Sequence, residues 1–289
     1  MSARGRSWGS LLAAGREKLR GPGFAPYEAE ELLARAAGRP RAWFLSRRSE
    51  PAPPDETARF HALVERRAAG EPLQYLLGEW EFRGRTFRVD PRALIPRGET
   101  EGIVEVALEA APGALRILDA GTGSGILAVT LALERPDARV IALDRSLDAL
   151  ALARENAYAF GVEARVAFAA SDWLTAFAPH PPPPFDLVVA NPPYVPLADA
   201  PHLDKTVSDH EPGLALYGGD DGLDPLRILL AQLPHFLPPG APFVFEFGYG
   251  QASAVSDLVE RSRSFQLSAV RLDVAGIPRT ATVLRSGTA

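Results

Sequence analysis

Hydrophobic residues recur at helical spacing through the first quarter of the chain. Between residues 8 and 70 they fall three or four positions apart, as at Leu32, Leu33 and Ala36, which is the spacing of helices that bury one face. Proline-rich stretches, most clearly Pro51 to Pro54, interrupt the pattern where helices must end. This region is predicted to be a small helical bundle.

The pattern becomes strand-like after residue 72. Trp80, Phe82, Phe87 and Val89 flank a turn at Arg83-Gly84-Arg85. Aromatic and β-branched residues on both sides of a glycine-containing turn are typical of a β-hairpin. We expect this hairpin, within residues 73–92, to link the helical bundle to the rest of the chain.

Strands and helices alternate from residue 93 onwards. Helical patterns run from about Glu99 to Ala111 and begin again after Ser124, Leu147, Gly222 and Gln251. Seven short apolar runs are strand candidates: Arg116 to Asp119, Arg139 to Leu143, Arg165 to Ala169, Leu187 to Ala190, Phe243 to Phe247, Gln266 to Leu272 and Thr280 to Leu284. This alternation predicts an α/β fold with a parallel, doubly wound sheet. Only the turn at Gly276-Ile277-Pro278 separates the last two strands, so they should form a hairpin that adds one antiparallel strand.

The 289 residues include no cysteine and five histidines. Without thiols the chain has no disulfide framework, no zinc–thiolate site and no cysteine nucleophile. The histidines show neither HxxxH nor HxH spacing, so we expect no bound metal. No apolar run approaches the roughly 18 to 20 residues of a membrane span, and the N-terminus lacks the residue order of a signal peptide. We therefore expect a cytoplasmic protein without a membrane partner.

The net charge of −5 combines two regions of opposite sign. Residues 1–72 carry 13 basic and 9 acidic side chains, and the remainder carries 18 basic and 27 acidic side chains. The regional charges are therefore +4 and −9. Several arginines of the first region are typical either of an ordinary solvated face or of a docking surface for an anionic partner: Arg35, Arg47, Arg48, Arg66 and Arg67.

A glycine-rich loop joins a predicted strand to a predicted helix in the segment Asp119-Ala120-Gly121-Thr122-Gly123-Ser124-Gly125. Glycines let the backbone approach a ligand closely, and a helix N-terminus offers free N–H groups to a carboxylate or phosphate. Asp144 ends the next strand about 20 residues later, where a carboxylate can accept hydrogen bonds from both hydroxyls of a ribose. These features together predict an adenosine-type ligand.

Three interpretations of this loop remain open. A dinucleotide-binding pattern is weakly met by Gly123, Gly125 and Ala128, and a purely structural turn is also compatible. S-adenosylmethionine carries an ammonium group, which Asp119 can receive, together with a carboxylate and a ribose diol. The methyltransferase interpretation is favoured because that cofactor matches all three features.

Asp172-Trp173 follows the third predicted strand of the sheet. Asp172 could accept a hydrogen bond from an adenine amino group, and Trp173 could stack on the ring. A helix-capping aspartate beside a core tryptophan explains the same residues. Their position after the strand that follows Asp144 and the glycine-rich loop favours a binding role.

The buried run Leu187 to Ala190 ends in Asn191-Pro192-Pro193-Tyr194. The two prolines fix the turn and lack N–H donors, so the main-chain carbonyl of Pro192 is left free to accept a hydrogen bond. Asn191 can accept another through its side-chain oxygen, and Tyr194 supplies a flat face. Two acceptors beside an aromatic wall predict a site that holds a planar –NH₂ group for methylation.

With these motifs the chain resembles the release factor glutamine methyltransferases, the HemK/PrmC family. The resemblance also includes Leu94-Ile95-Pro96-Arg97, Glu99-Thr100-Glu101, Glu211-Pro212, Gly218-Gly219-Asp220-Asp221-Gly222 and Glu246-Phe247-Gly248. It implies a Rossmann-like class I methyltransferase sheet of seven strands with S-adenosylmethionine as cofactor. The implied substrate is the side-chain amide nitrogen of the glutamine in the Gly-Gly-Gln motif of peptide chain release factors.

The resemblance also implies residue roles and domains. Gly121 to Gly125, Asp144 and Trp173 would bind the cofactor, together with Asp119, Asp172 and Asn191, whereas Asn191 to Tyr194 would hold the glutamine amide. Asn191, Pro192 and Tyr194 are the expected catalytic group. From their basic charge we hypothesise that residues 1–72 dock the protein substrate, and we predict that residues 93–289 form the methyltransferase domain. Gly98 stands where the family usually has a proline, so we expect that stretch to be looser.

Other acceptors were weighed against a release factor. Adenine in nucleic acid is disfavoured because its enzymes usually present a basic face, whereas the predicted catalytic region has a net charge of −9. Glutamine methylation of a ribosomal protein remains an alternative. An NAD-binding oxidoreductase would leave the Asn-Pro-Pro-Tyr turn without a role. We expect a monomer with no nucleic acid at the catalytic face.

Overall fold

The computed structural model describes residues 6–21, 23–177 and 184–287. The helices are α1 (Trp8–Lys18), α2 (Glu28–Ala37), α3 (Pro54–Ala68), α4 (Leu73–Leu77), α5 (Glu101–Ala110), α6 (Ile126–Glu134), α7 (Leu147–Ala159), α8 (Lys205–Ser208), α9 (Asp224–Gln232) and α10 (Ala252–Ser262). The strands are β1 (Glu79–Phe82), β2 (Arg85–Arg88), β3 (Arg116–Ala120), β4 (Arg139–Asp144), β5 (Val166–Ala170), β6 (Leu187–Ala190), β7 (Pro242–Glu246), β8 (Phe265–Leu272) and β9 (Pro278–Arg285). Short 3₁₀ turns complete the framework: Arg41–Phe44, Gly98–Thr100, Thr175–Phe177, Leu197–His202, Gly213–Ala215 and Leu233–His235.

The chain divides into two compact units. The first contains the chain up to Glu79 together with Asp204–His210, and the second contains Trp80–Leu203 and the chain from Glu211 onwards. Helices α1 to α4 and α8 thus belong to the first unit, and the strands from β2 onwards belong to the second. No helix within the described ranges has both the length and the apolar character needed to cross a membrane.

The first unit packs around a helical core, which confirms the predicted bundle. Trp8 of α1, Leu32 of α2 and Phe60 of α3 are among its buried residues. Helix α1 starts where the backbone N–H of Ser10 donates to Ser7 Oγ, and α2 ends at Gly38 in the left-handed conformation. Such caps bond the free backbone groups at helix ends.

The position of Arg67 differs from the prediction that it lies on a solvated or docking face. Its side chain is only 8% exposed, and its Nε donates to Glu28 Oε2 at 2.6 Å. It therefore does not belong to a solvated or docking surface. Helical spacing predicts which face of α3 is apolar. It does not predict that Arg67 on that helix forms an ion pair with Glu28 of α2, which lies 39 residues earlier in the chain.

The predicted hairpin is formed by β1 and β2. Arg83 and Gly84 have φ angles of 50° and 69°, as a two-residue turn that matches strand twist requires. Phe82 and Phe87 are buried and join one of the two large cores of the second unit.

The seven strands of the main sheet lie in the order β5-β4-β3-β6-β7-β9-β8, and β9 is antiparallel to both of its neighbours. This confirms the doubly wound sheet with one antiparallel strand from the final hairpin. Adjacent residues of β3 face different cores, since Ile117 belongs to one cluster and Leu118 to the other. Helices α5 and α6 contribute to the first core, whereas α9 and α10 contribute to the second. The chain order reverses between β3 and β6, and ligands of such sheets bind beyond the carboxyl ends of strands at this point.

Candidate active site

A cavity of about 460 Å³ lies beyond the carboxyl ends of β3, β4, β5 and β6. This volume is within the range of roughly 300 to 1,000 Å³ found for small-molecule sites. Nine of the predicted site residues line it: Gly121, Thr122, Gly123, Ser124, Asp144, Asp172, Trp173, Asn191 and Pro193. Four others do not: Asp119, Gly125, Pro192 and Tyr194.

The glycine loop requires backbone conformations that favour glycine. Gly121, Gly123 and Gly125 have φ angles of 81°, 56° and 80°. At Gly125 an added Cβ would lie 2.8 Å from the Cβ of Ala153, so the loop also passes close to α7. The backbone N–H groups of Gly121 and Thr122 both donate to the carbonyl of Leu143. These bonds tie the loop to the end of β4.

Asp144 fastens the loop to the start of the next helix. Its Oδ2 accepts from the N–H of Gly123 at 2.8 Å, and its Oδ1 accepts from the N–H of Ser146 at 2.8 Å. Burial raises the pKa of this carboxyl, while the backbone hydrogen bonds act in the opposite direction. A carboxylate can accept about four hydrogen bonds. Asp144 therefore retains acceptor capacity at the cavity for the hydroxyls of a ribose.

Asp119 is completely buried. Its Oδ2 accepts from the hydroxyl of Thr122 at 2.6 Å and from the N–H of Ala128 at 3.1 Å. Its Oδ1 has no hydrogen-bond partner among the described residues. Burial raises the pKa of Asp119 to about 7. A buried carboxylate oxygen without a donor is costly, and a cationic group at the glycine loop would reduce that cost.

Trp173 has a φ angle of 52°, which is uncommon for a bulky side chain and is found mainly where surrounding contacts hold the backbone in place. The N–H of Leu174 donates to Gln232 Oε1 at 3.0 Å, which provides one such contact. The indole lies against Gly121, where an added Cβ would come within 3.6 Å of Trp173 Cζ3. The side chain of neighbouring Asp172 is exposed and has no hydrogen-bond partner in the described part of the chain.

The Asn-Pro-Pro-Tyr turn is held by a chain of hydrogen bonds to Glu246. Asn191 Nδ2 donates to Thr100 Oγ1 at 3.0 Å, and the Thr100 hydroxyl donates to Glu246 Oε2 at 2.9 Å. The Tyr194 hydroxyl donates to Glu246 Oε1 at 3.1 Å. Burial raises the pKa of both Glu246 and Tyr194. Within the described residues, the carbonyl of Pro192 accepts no hydrogen bond.

Sequence reasoning assigned no role to Thr100 or Glu246. A signal was present, because Glu246 is the next-to-last residue of the apolar strand candidate Phe243 to Phe247, at the edge of the sheet where the other motifs lie. A carboxylate in that position needs partners. Thr100 carries no comparable signal, since its contact with Asn191 joins positions 91 residues apart.

The segments on either side of the cavity are joined by an ion pair. Arg97 Nη2 donates to Glu211 Oε1 at 2.5 Å, and the N–H of Ile95 donates to Glu211 Oε2 at 3.0 Å. Leu94, Pro96 and Pro212 line the cavity next to these residues. The ion pair thus fixes two stretches of the cavity wall beside Gly98.

Comparison with known families identifies two regions. A PrmC N-terminal domain model matches residues 10–78, and a methyltransferase domain model matches residues 113–214. A release factor glutamine methyltransferase of Geobacter sulfurreducens is 44% identical over 238 residues, covering 82% of each chain. One of Moorella thermoacetica is 42% identical over 279 residues, covering 96% of this chain and 95% of that protein.

Solved structures share the fold at lower identity. A 16S rRNA N2 G1207 methyltransferase of T. thermophilus, in complex with AdoMet and guanosine, has a TM-score of 0.51 and 19% identity, covering 72% of this chain and 50% of that chain. A methyltransferase of Pyrococcus furiosus has a TM-score of 0.51 and 15% identity, covering 71% of this chain and 91% of that chain. At these identities the likeness supports the fold alone.

Proposed function

The chain belongs to the release factor glutamine methyltransferase family, and we propose that it methylates the side-chain amide nitrogen of the glutamine in the Gly-Gly-Gln motif of peptide chain release factors. The cofactor is S-adenosylmethionine, which when bound supplies a methyl group on an electrophilic sulfonium sulfur. The cavity beyond β3 and β6 is the proposed site of transfer.

The residues around the cavity suit that cofactor. Asp119 Oδ1 has no hydrogen-bond partner among the described residues, and we propose that this carboxyl ionises beside the ammonium group expected at the glycine loop. Asp144 retains acceptor capacity for ribose hydroxyls, and Trp173 offers an aromatic wall beside Gly121. We propose that Asp172 and the loop residues Thr122 to Ser124 complete the binding site.

The acceptor amide would be held by Asn191 and Pro192. Asn191 uses its nitrogen to donate to Thr100, so its Oδ1 can accept one N–H of the glutamine amide. The carbonyl of Pro192, which accepts no hydrogen bond from the described part of the chain, can accept the second N–H. With both N–H bonds fixed, the nitrogen points at the reacting carbon, and such positioning supplies on the order of 7 to 11 kcal/mol. Asn191 and Pro192 would hold that nitrogen for the methyl group that the bound cofactor would supply, and the methylated amide would release one proton to solvent.

The observation that carries this proposal is the orientation of Asn191. Its amide oxygen is left for a donor from the cavity, and the carbonyl of Pro192 in the same turn accepts no hydrogen bond from any described residue. A planar –NH₂ group is the complementary ligand. We further propose that the enzyme acts as a monomer in the cytoplasm, that its first unit docks the protein substrate, and that no nucleic acid binds at the catalytic face.

A direct test offers labelled S-adenosylmethionine with three acceptors: a release factor, a ribosomal protein extract and duplex DNA. We expect label in the release factor and none after its Gly-Gly-Gln glutamine is replaced by alanine. Label in a ribosomal protein or in DNA, with none in the release factor, would overturn the assignment of the substrate.

A further inference from the structure

We propose that Glu246, acting through the hydroxyl of Thr100, sets the orientation of the Asn191 side-chain amide so that its oxygen faces the acceptor. This inference rests on the proposed function for the identity of that acceptor. Thr100 and Glu246 are thereby assigned as positioning residues, which act on the acceptor through Asn191.

An asparagine amide has two ends of nearly equal size and opposite hydrogen-bonding character. If Asn191 presented its nitrogen to the cavity, two –NH₂ groups would face each other and the acceptor would lose a hydrogen bond. The turn alone does not select one orientation, because the prolines constrain backbone angles and leave the rotation of the asparagine amide free. The selection must come from the group behind Asn191.

That group is a hydrogen-bond chain with a fixed direction. Glu246 is 2% exposed, and two hydroxyl donors, those of Thr100 and Tyr194, contact its carboxylate. The Thr100 hydroxyl donates its single proton to Glu246 Oε2 at 2.9 Å, and a hydroxyl has no second proton to donate. Towards Asn191 the Thr100 oxygen can then only accept, and Asn191 must offer its nitrogen.

Glu246 also holds the other end of the turn. Its Oε1 accepts from the hydroxyl of Tyr194, while Oε2 accepts from Thr100. One buried side chain therefore controls the first and last residues of Asn-Pro-Pro-Tyr. Satisfied buried networks of this kind specify a single arrangement.

The composition of the chain permits a direct test. It contains only two asparagines, Asn156 and Asn191, so labelling with ¹⁵N-asparagine yields two side-chain amide signals in an NMR spectrum. Asn156 is an internal reference, because its buried side chain donates to the carbonyl of Ser124 at 2.9 Å and accepts from the N–H of Arg88 at 2.8 Å. An Asn191→Ala sample assigns the two signals.

Thr100→Val and Thr100→Ser form a matched pair at a residue that is 3% exposed. Valine keeps the shape and removes the hydroxyl, whereas serine keeps the hydroxyl. In the cofactor-free protein we expect Thr100→Val to speed hydrogen exchange of the Asn191 amide by roughly tenfold or more, as a lost buried hydrogen bond requires, with no change at Asn156. Thr100→Ser should retain the slow exchange. The same Asn191 exchange rate in wild type and Thr100→Val, with Asn156 intact, overturns the proposal.

Kinetics provide the second measurement. Thr100→Val should lower kcat by roughly 10- to 100-fold, as for other lost positioning contacts, with the cofactor Kd within about threefold. Thr100→Ser should recover most of that loss. In an Asn191→Ala background Thr100→Val should cause no further loss, because residues that act through one another are not additive. Additive losses, or a serine variant as poor as the valine variant, would contradict the proposal.

Glu246→Gln is a third, nearly isosteric variant. A glutamine amide can donate to Thr100 Oγ1, and the hydroxyl is then free to donate to Asn191 in the reversed orientation. We expect a loss of kcat comparable to that of Thr100→Val. The NMR comparison of Thr100→Val with Thr100→Ser requires no substrate. If the wild-type protein does not methylate a release factor but the two variants differ in Asn191 exchange as expected, the proposed substrate is wrong and the positioning role of Thr100 is still supported.

Discussion

At the scale of single residues, the buried carboxyl of Asp119 predicts that cofactor binding depends on pH. Its pKa in the ligand-free protein is raised to about 7 from the ordinary 3.8 because the side chain is fully buried. In the folded protein the protonated form of Asp119 is therefore favoured below about pH 7. The contribution of Asp119 to folding stability is present below about pH 4 and is lost as pH rises through about 7. A bound ammonium group favours the ionised form and must release the proton.

The first prediction concerns this linkage. The affinity for S-adenosylmethionine should increase with pH, on the order of tenfold between about pH 5.5 and about pH 7.5, and level off above. Asp119→Asn, which keeps acceptors for Thr122 and Ala128, should flatten that dependence. Isothermal titration calorimetry at several pH values in buffers of different ionisation enthalpy measures both the affinity and the protons released. If the affinity of Asp119→Asn for S-adenosylmethionine depended on pH as steeply as that of the wild type, Asp119 would not be the group that binds the ammonium.

The second prediction separates cofactor contacts from acceptor contacts. Asn191→Ala should lower turnover by roughly 100-fold or more, since it removes a positioning acceptor, and should leave the cofactor Kd within a few-fold. Asp144→Ala should instead weaken cofactor binding, because it removes the proposed acceptor for the ribose hydroxyls and the carboxylate that binds the N–H of Gly123. Steady-state kinetics and calorimetry on both variants distinguish the roles. A turnover of Asn191→Ala equal to that of the wild type would show that Asn191 does not position the acceptor amide.

At the scale of elements, the glycine turn after residue 217 packs directly against the Asn-Pro-Pro-Tyr turn. Gly222 has a φ angle of 78°, and a Cβ added there would lie 2.1 Å from the carbonyl oxygen of Tyr194. Gln251 Nε2 already donates to that carbonyl at 2.9 Å. Any side chain at Gly222 must therefore displace Tyr194.

A matched control isolates that contact and gives the third prediction. Gly250 has the same φ angle of 78°, but no atom lies within 4 Å of an added Cβ. Both Gly→Ala variants should lose about 1 kcal/mol of stability through backbone strain. Gly222→Ala alone should lower kcat by roughly tenfold or more, because it moves the acceptor site. Thermal unfolding measures the stability of the two variants, and steady-state kinetics measure their kcat. Equal kcat values for Gly222→Ala and Gly250→Ala would contradict the prediction.

These elements show how far the sequence predicts the structure. Periodicity and turn residues predict the strands and helices because those signals are local, and the strand Leu187 to Ala190 is observed with the predicted bounds. The left-handed backbone of Trp173 is not predictable, because its contact with Gly121 and the bond from the Leu174 N–H to Gln232 join positions far apart in the sequence. The bonds of Thr100 to Asn191 and of Arg67 to Glu28 join distant positions, and one sequence contains no signal for such pairs.

At the scale of the whole molecule, the basic first region is the candidate for docking a protein substrate. Its arginines differ in their availability. Arg66 is paired with Glu71, and Arg67 is buried against Glu28. Arg35 and Arg48 are exposed and have no ion pair among the described residues. A docking surface on this unit would use the latter two.

The fourth prediction reverses those charges in the full-length protein. Arg35→Glu with Arg48→Glu should raise KM for a folded release factor by roughly 3- to 10-fold at low salt, because charge complementarity mainly governs encounter. KM for a short Gly-Gly-Gln peptide should not change. Arg261→Glu in α10, also exposed and without an ion pair within the described ranges, is the matched control. Equal effects on protein and peptide would exclude docking through these arginines.

The short segment Asp204–His210 gives the molecule an unusual covalent layout. It belongs to the first unit, whereas the chain on both sides of it belongs to the second. The polypeptide therefore passes between the units at three points, after Glu79, after Leu203 and after His210. Neither unit can be exchanged with that of a relative as one contiguous cassette. A chimera joined only near residue 79 would combine the first unit of one relative with the Asp204–His210 segment of another. An exchange of the first unit between relatives must therefore include this heptapeptide.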